Sequence, residues 1–139
     1  FEAGTIIFAG IAGLGAGLAA LAAMGGPAAV GRREGQLAQR LREGLSAIPG
    51  VRLYGPADPA ERVAVVSFTI DGLTVWEVGG RLDGEDGILT RGGLHCAPAA
   101  HRTIGSFPAG TVRLSPGPFT TSDQVERTIR AVREIAEGV

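Results

Sequence analysis

A long uncharged stretch near the start of the sequence restricts the folds open to this chain. No residue from Ala3 to Gly31 carries a charge, and Ile11–Met24 is dense in alanine, leucine and glycine. This composition predicts an apolar helix that needs a partner surface, in its own chain or in another. A membrane span is the alternative, because the length suffices and Gly13 and Gly17 form a small-xxx-small pair. Alanine and glycine contribute little transfer energy and no lysine or aromatic belt flanks the stretch, which favours a helix packed against protein.

The composition indicates one compact domain. The 139 residues are 45% apolar and 19% charged, which is enough for a core within a single domain. Arginines and carboxylates are interspersed and the net charge is -1, so we expect no nucleic-acid partner. The single cysteine cannot form an internal disulfide, and we therefore expect a reducing, cytoplasmic location.

Three further helices are predicted from apolar periodicity and capping signals. They span residues 32–48, 74–84 and 121–138. The first carries Leu37, Leu41, Leu45 and Ile48 on one stripe at helical spacing. The other two open at capping boxes, which are Thr74 with Glu77 and Thr121 with Gln124.

Four strands are predicted at residues 51–54, 62–70, 87–90 and 111–115. The second is apolar on both faces, which is typical of a central strand. A long loop joins the last two. The order of helices and strands predicts an α/β fold, specifically an α+β sandwich in which helices cover a small, mainly antiparallel sheet.

The loop before the last strand holds the only cysteine, in the segment Arg91-Gly-Gly-Leu-His-Cys-Ala-Pro98. An isolated cysteine is often a small buried hydrophobe. Here glycines precede Cys96 and a proline follows, which predicts a sharp turn, and Arg91, His95 and Arg102 can supply the positive charge that favours a thiolate. The sequence therefore predicts a reactive thiol as the alternative to a buried one.

Other candidate groups have two interpretations each. His95, Cys96 and His101 could ligate zinc, but their spacing fits no standard motif and no fourth ligand is evident, so we expect no metal. Arg113 either points to solvent by strand alternation or clamps a carboxylate with its planar guanidinium. Thr5, after Gly4, is either a helix cap or part of an anion pocket at a helix start.

Three motifs in order resemble the C-terminal part of the class V aminotransferase-fold enzymes, and among these the cysteine desulfurases and selenocysteine lyases most. The motifs are Phe1–Thr5 with the following Ala9–Ala16, then Arg91–Pro98, then Gly110–Gly117. The resemblance spans essentially the whole chain. It implies the C-terminal small domain of a homodimeric fold-type-I enzyme that uses pyridoxal 5'-phosphate, with residues 1–31 as a linking segment and apolar helix and 32–139 as the small domain.

The resemblance also implies roles for individual residues. Cys96 would be the nucleophile that takes the sulfur of L-cysteine as a persulfide and releases L-alanine. Arg113 would hold the substrate carboxylate, with Arg91 and His95 lining the same pocket. Thr5, with Gly4 allowing close approach, would reach the cofactor phosphate of the partner subunit. A sulfur-acceptor protein is a further implied partner.

None of the 139 residues is lysine, although the implied cofactor is held as a Schiff base on a lysine. The resemblance therefore implies a large domain that is missing from this sequence, and we expect the chain alone to be inactive. The chain departs from the family pattern at Ile6-Ile7, beside the phosphate contact, and at Phe119-Thr120-Thr121, near Arg113. Two alternatives stay open: a selenocysteine lyase or other class V enzyme, and a non-catalytic interaction domain of the same fold.

Overall fold

The computed structural model describes residues 7–138, which form five α-helices and four strands. In chain order these are α1 (Phe8–Ala23), α2 (Gly26–Ser46), β1 (Val51–Tyr54), β2 (Val66–Ile70), α3 (Val75–Asp86), β3 (Arg91–Gly93), α4 (Pro98–Thr103), β4 (Thr111–Leu114) and α5 (Ser122–Glu137). A 3-10 turn, Pro59–Glu61, lies between β1 and β2. The predicted order of helices and strands is confirmed, with α4 added.

The four strands form one antiparallel sheet in the order β1-β2-β4-β3. Along β2, Val66, Phe68 and Ile70 are buried and the two residues between them are half-buried, as expected for a sheet with one face on the core. Helices α2, α3 and α5 cover that face. The predicted α+β sandwich with a small antiparallel sheet is therefore confirmed.

The core lies between the sheet and the three covering helices. It contains the predicted leucine stripe of α2, the buried side of β2 and β4, and the apolar face of α5. Its most enclosed side chains include Leu45, Val66, Phe68, Leu82, Val112 and Val132. Burial of these side chains stabilises the fold by about 1.5–3 kcal/mol each before the loss of conformational entropy.

Helix α1 lies outside this core. It packs against α2, but none of its residues is buried, and Phe8, Ile11, Leu14 and Leu18 are more than half exposed. The partner surface that its composition requires is therefore not supplied by residues 7–138. Within that range no single helix is both long and apolar enough to cross a membrane, although α1 and α2 meet the criterion as a pair bent by 72°.

Two predicted strands were placed wrongly. β2 begins at Val66 rather than at residue 62, because the Val65 N–H bonds the Val63 carbonyl in a tight turn and leaves Val63 exposed. Residues 87–90 do not form a strand: α3 continues past Gly84, and Gly87 ends it with a left-handed backbone. The strand starts only at Arg91, where pairing with β4 becomes available.

The start of α2 and the content of the cysteine loop also differ from the prediction. α2 begins at Gly26 instead of residue 32, because Pro27 fits the first helical turn and the following apolar residues continue the helix. The loop of residues 91–110 contains β3 and the short helix α4. Both capping boxes are present as predicted, Thr74 with Glu77 and Thr121 with Gln124. The division of the chain at residue 31 stays a prediction.

Candidate functional site

The candidate site lies on the sheet face opposite the core helices, at the β3 edge. Arg91 of β3 is directly opposite Arg113 of β4 in the antiparallel register. Val112 and Leu114 are buried on the core side, so alternation turns Arg113 to the other face. The strand register therefore places two arginines, 22 positions apart in the sequence, in neighbouring positions on the same face of the sheet.

Cys96 lies in the turn that follows β3. It is an exposed free thiol, and Arg91 Nη2 donates to its sulfur at 3.7 Å. The interpretation of Cys96 as a buried hydrophobe is therefore wrong, and the reactivity of the exposed thiol stays a prediction.

His95 precedes the cysteine and reaches back to β4. Its Nε2 lies 3.1 Å from the carbonyl oxygen of Thr111 and 3.2 Å from Oγ1 of the same residue. Burial chiefly, and then the positive charge of Arg113 and the neighbouring His101, lower the pKa of His95. The imidazole is therefore neutral near pH 7.

Two buried nitrogen atoms at this site have no hydrogen-bond partner among residues 7–138. They are His95 Nδ1 and Arg113 Nε. The salt bridges within the same range are Arg40–Glu126, Arg81–Glu85 and Arg127–Asp86, none of which involves Arg91 or Arg113. Since buried polar groups are rarely left without partners, Arg113 Nε is a donor that an anionic group such as a carboxylate can fill.

The second histidine has a structural role. His101, in α4, is buried, and its Nδ1 is 2.7 Å from Ser106 Oγ. Its ring centroid lies 5.6 Å from that of His95.

Among residues 7–138 no three His, Cys, Asp or Glu side chains are grouped so that they could hold a metal ion. Arg102 stacks on Phe107 at 4.3 Å, away from the sulfur contact made by Arg91.

Arg91 and Cys96 are exposed at this site, whereas His95 and Arg113 are half-buried. A groove of about 460 Å³ lies elsewhere, between the end of α3 and the start of α5, and is lined in part by Leu41, Ile88 and Val125.

Sequence reasoning missed Thr111, the partner of His95. The signal was present, because alternation along β4 places Thr111 on the same face as Arg113.

The predicted cofactor contacts lie outside the described residues. Thr5 and Gly4 precede residue 7, so their roles stay predictions. With no lysine in the sequence, the residues present do not fit a covalently held pyridoxal 5'-phosphate. A lysine that holds such a cofactor would have to come from protein beyond this chain.

Comparisons with known proteins agree with the geometry. Residues 1–128 match the family Aminotransferase class-V. The chain is 39% identical over 132 residues to the "Probable cysteine desulfurase 2" of Mycobacterium leprae, covering 95% of this chain and 31% of that protein. It is 36% identical over 135 residues to the cysteine desulfurase of Pectobacterium atrosepticum, covering 97% of this chain and 31% of that protein.

Solved structures show the same similarity. The apo cysteine desulfurase of Thermococcus onnurineus superposes with a TM-score of 0.90 at 34% identity, covering all of this chain and 34% of the other. The cysteine desulfurase CsdA of Escherichia coli superposes at 0.81 with 28% identity, covering all of this chain and 33% of the other. The chain thus spans about a third of the length of the relatives that it matches.

Proposed function

Because the chain belongs to the aminotransferase class-V family, we propose that it is the C-terminal part of a cysteine desulfurase that converts L-cysteine to L-alanine. The names of its relatives support this activity. Its span of about a third of their length supports a missing large domain. The complete enzyme is proposed to be a homodimer in the cytoplasm.

One observation carries the proposal. The exposed Cys96 thiol is 3.7 Å from the Arg91 guanidinium, on the strand pair that also holds Arg113. A nucleophilic thiol needs access and nearby positive charge, and both are present. A purely structural cysteine requires neither.

Cys96 is proposed to receive the substrate sulfur. Its thiolate forms a sulfur–sulfur bond with the substrate while the bond between that sulfur and the substrate β-carbon breaks. The electron pair of the broken bond stays with the carbon, which takes up a proton and leaves as alanine. The product on the protein is a persulfide at Cys96, which a sulfur-acceptor protein then collects.

Arg113 is proposed to hold the substrate carboxylate. Its Nε is buried without a partner among residues 7–138, which leaves a donor free for a bidentate contact. Arg91 adds positive charge on the same face, and neutral His95 lines the site without competing for the anion. Such a contact orients the substrate relative to the thiol.

The cofactor belongs to the rest of the proposed enzyme. Pyridoxal 5'-phosphate supplies the electron sink for reactions at the amino acid carbons, and this chain has no lysine to attach it. We propose that Thr5 and Gly4 contact the phosphate of the cofactor in the partner subunit. The residues described above then provide the thiol and the carboxylate contact.

The test uses the native-length protein, purified with pyridoxal 5'-phosphate. Replacing Cys96 by Ala is expected to reduce sulfur release from L-cysteine roughly a thousandfold or more, because the acceptor of the sulfur is lost. Thr103→Ala, an exposed change in the same loop, serves as the matched control and should keep the wild-type rate. Mass spectrometry should find one extra sulfur atom on Cys96 of the wild-type protein after incubation with L-cysteine.

Other outcomes separate the alternatives. Selenium release from L-selenocysteine that persists in the Cys96→Ala protein while sulfur release is lost agrees with the proposal. Unchanged sulfur release in that variant would show that Cys96 is not the acceptor. A native-length wild-type protein that binds no pyridoxal 5'-phosphate would support the non-catalytic interaction domain instead.

A further inference from the structure

The turn after β3 has an unusual backbone. Two consecutive residues, His95 with φ 52° and Cys96 with φ 62°, adopt the left-handed conformation. Side chains other than glycine rarely occupy this region, although histidine does so more often than most. Such a conformation persists where surrounding contacts hold it. The position of the thiol therefore depends on contacts that anchor this turn to the rest of the fold.

His95 anchors the turn to β4. Its Nε2 lies within hydrogen-bond distance of both Thr111 oxygens, at 3.1 Å and 3.2 Å. A carbonyl oxygen can only accept, so Nε2 carries the proton and donates to the carbonyl and the hydroxyl oxygen. The lowered pKa of His95 keeps the ring neutral, which leaves a lone pair on the buried Nδ1.

Thr111 is well placed to serve as the fixed end of this contact. It is 1% exposed, and it starts the strand that carries Arg113. Next to it, Gly110 lies so close to β3 that a Cβ there would overlap the backbone of Gly93. The ends of β3 and β4 are therefore held in close contact on either side of the cysteine turn.

We propose that Thr111 is a positioning residue, which acts through His95 to hold the Cys96 turn in register with Arg113. The proposal rests on the proposed function. A cysteine that receives sulfur has to stand at a set distance from the substrate that Arg113 orients, and β4 supplies both anchors. Arg91 contacts the sulfur itself, whereas Thr111 acts only by way of His95.

The test compares Thr111→Val with Thr111→Ser in the native-length protein. Valine has nearly the shape of threonine but lacks the hydroxyl, so it removes the 3.2 Å contact and keeps the 3.1 Å contact to the backbone carbonyl. Serine restores the hydroxyl. We expect Thr111→Val to lower kcat for sulfur release by about tenfold to a hundredfold with KM for L-cysteine unchanged, because misplacement of a reacting group reduces the rate of the chemical step. Thr111→Ser should keep most of the wild-type kcat.

A second readout does not depend on the reaction. Hydrogen–deuterium exchange at the amides of residues 93–97 should be faster in Thr111→Val, while exchange in α5 stays unchanged. Unchanged exchange at 93–97 overturns the anchoring role of the Thr111 hydroxyl. Faster exchange with wild-type kcat overturns the positioning role. An inactive wild-type protein refutes the proposed function instead, and exchange still decides the anchoring.

A variant at the other end of the contact keeps the test valid if Thr111→Val fails to fold. Asparagine tolerates the left-handed backbone but is too short to reach Thr111, so His95→Asn keeps the local conformation accessible while it removes the anchor. We expect His95→Asn to reproduce the loss in kcat, and the double variant with Thr111→Val to lose little more than either alone. Fully additive losses would contradict the proposal, since residues acting through one contact cannot add.

Discussion

Arg91 and Arg113 stand directly opposite each other on adjacent strands, and neither has a carboxylate partner among the described residues. Like charges in such cross-strand pairs destabilise a sheet. The pair is therefore unfavourable for folding, which supports a role in binding an anion. The exposed thiol of Cys96 at 3.7 Å from Arg91 belongs to the same group of side chains.

A conservative change at Arg113 tests the carboxylate contact. Arg113→Lys keeps the charge but loses the planar pair of donors, so we expect kcat/KM for L-cysteine to fall about tenfold to a hundredfold, mostly through KM. Steady-state kinetics of the native-length enzyme give both kcat/KM and KM for L-cysteine. Arg52→Lys, on β1 at the opposite edge of the sheet, is the matched control. Equal KM values for wild type and Arg113→Lys would contradict the proposed role.

Among the elements, the contact between α2 and α5 holds the helical layer together. Gly44 of α2 lies beneath Ile129 of α5, and a Cβ at Gly44 would overlap three carbon atoms of that side chain. Ile129 is buried and β-branched, so it has little freedom to move aside. Gly35 of the same helix has open space at the corresponding position.

These two glycines allow a paired prediction. Gly35→Ala should stabilise the protein by about 0.5–1 kcal/mol, because alanine has the higher helix propensity. Gly44→Ala should instead destabilise it by about 1–3 kcal/mol, the usual cost of overpacking a core. Urea denaturation followed by circular dichroism gives both values. Equal stabilisation by the two changes would show that the helices are not packed as described.

At the scale of the whole molecule, helix α1 exposes an apolar surface that the described residues do not cover. Leu14 and Leu18 are 64% and 59% exposed, and with Phe119 they line a groove of about 420 Å³. Contiguous apolar surface of this kind is typical of an interface. The surface therefore has the character of an interface within the proposed complete enzyme.

The 139-residue chain on its own is therefore expected to self-associate. Light scattering over a range of concentrations should show a mass that rises above that of the monomer. Replacing Leu14 and Leu18 together by Gln should shift the protein towards the monomer, whereas Leu89→Gln, an exposed leucine elsewhere, should not. A wild-type chain that stays monomeric at high concentration would contradict this expectation.

Local interactions explain which features could be predicted. Both capping boxes and the leucine stripe of α2 were predicted correctly, because they depend on residues three or four positions apart. The strand placed at 87–90 was wrong, since the true strand starts where β4 offers a partner. The start of β2 was misplaced for a similar reason, a turn at Val63–Val65 that the apolar pattern does not reveal.

The candidate site likewise has features that the sequence predicted and features that only the tertiary structure decided. The three motifs, which include Cys96 and Arg113, are properties of the sequence, and together they were sufficient to identify the family and to name the candidate reactive groups. Three-dimensional packing alone established that Arg91 faces Arg113, that Arg91 contacts the sulfur, and that Thr111 anchors His95. Two of these contacts join residues 16 and 22 positions apart and depend on strand register. The contact of Arg91 with Cys96 spans only five positions, but it depends on the left-handed turn at His95 and Cys96, which no local pattern specifies.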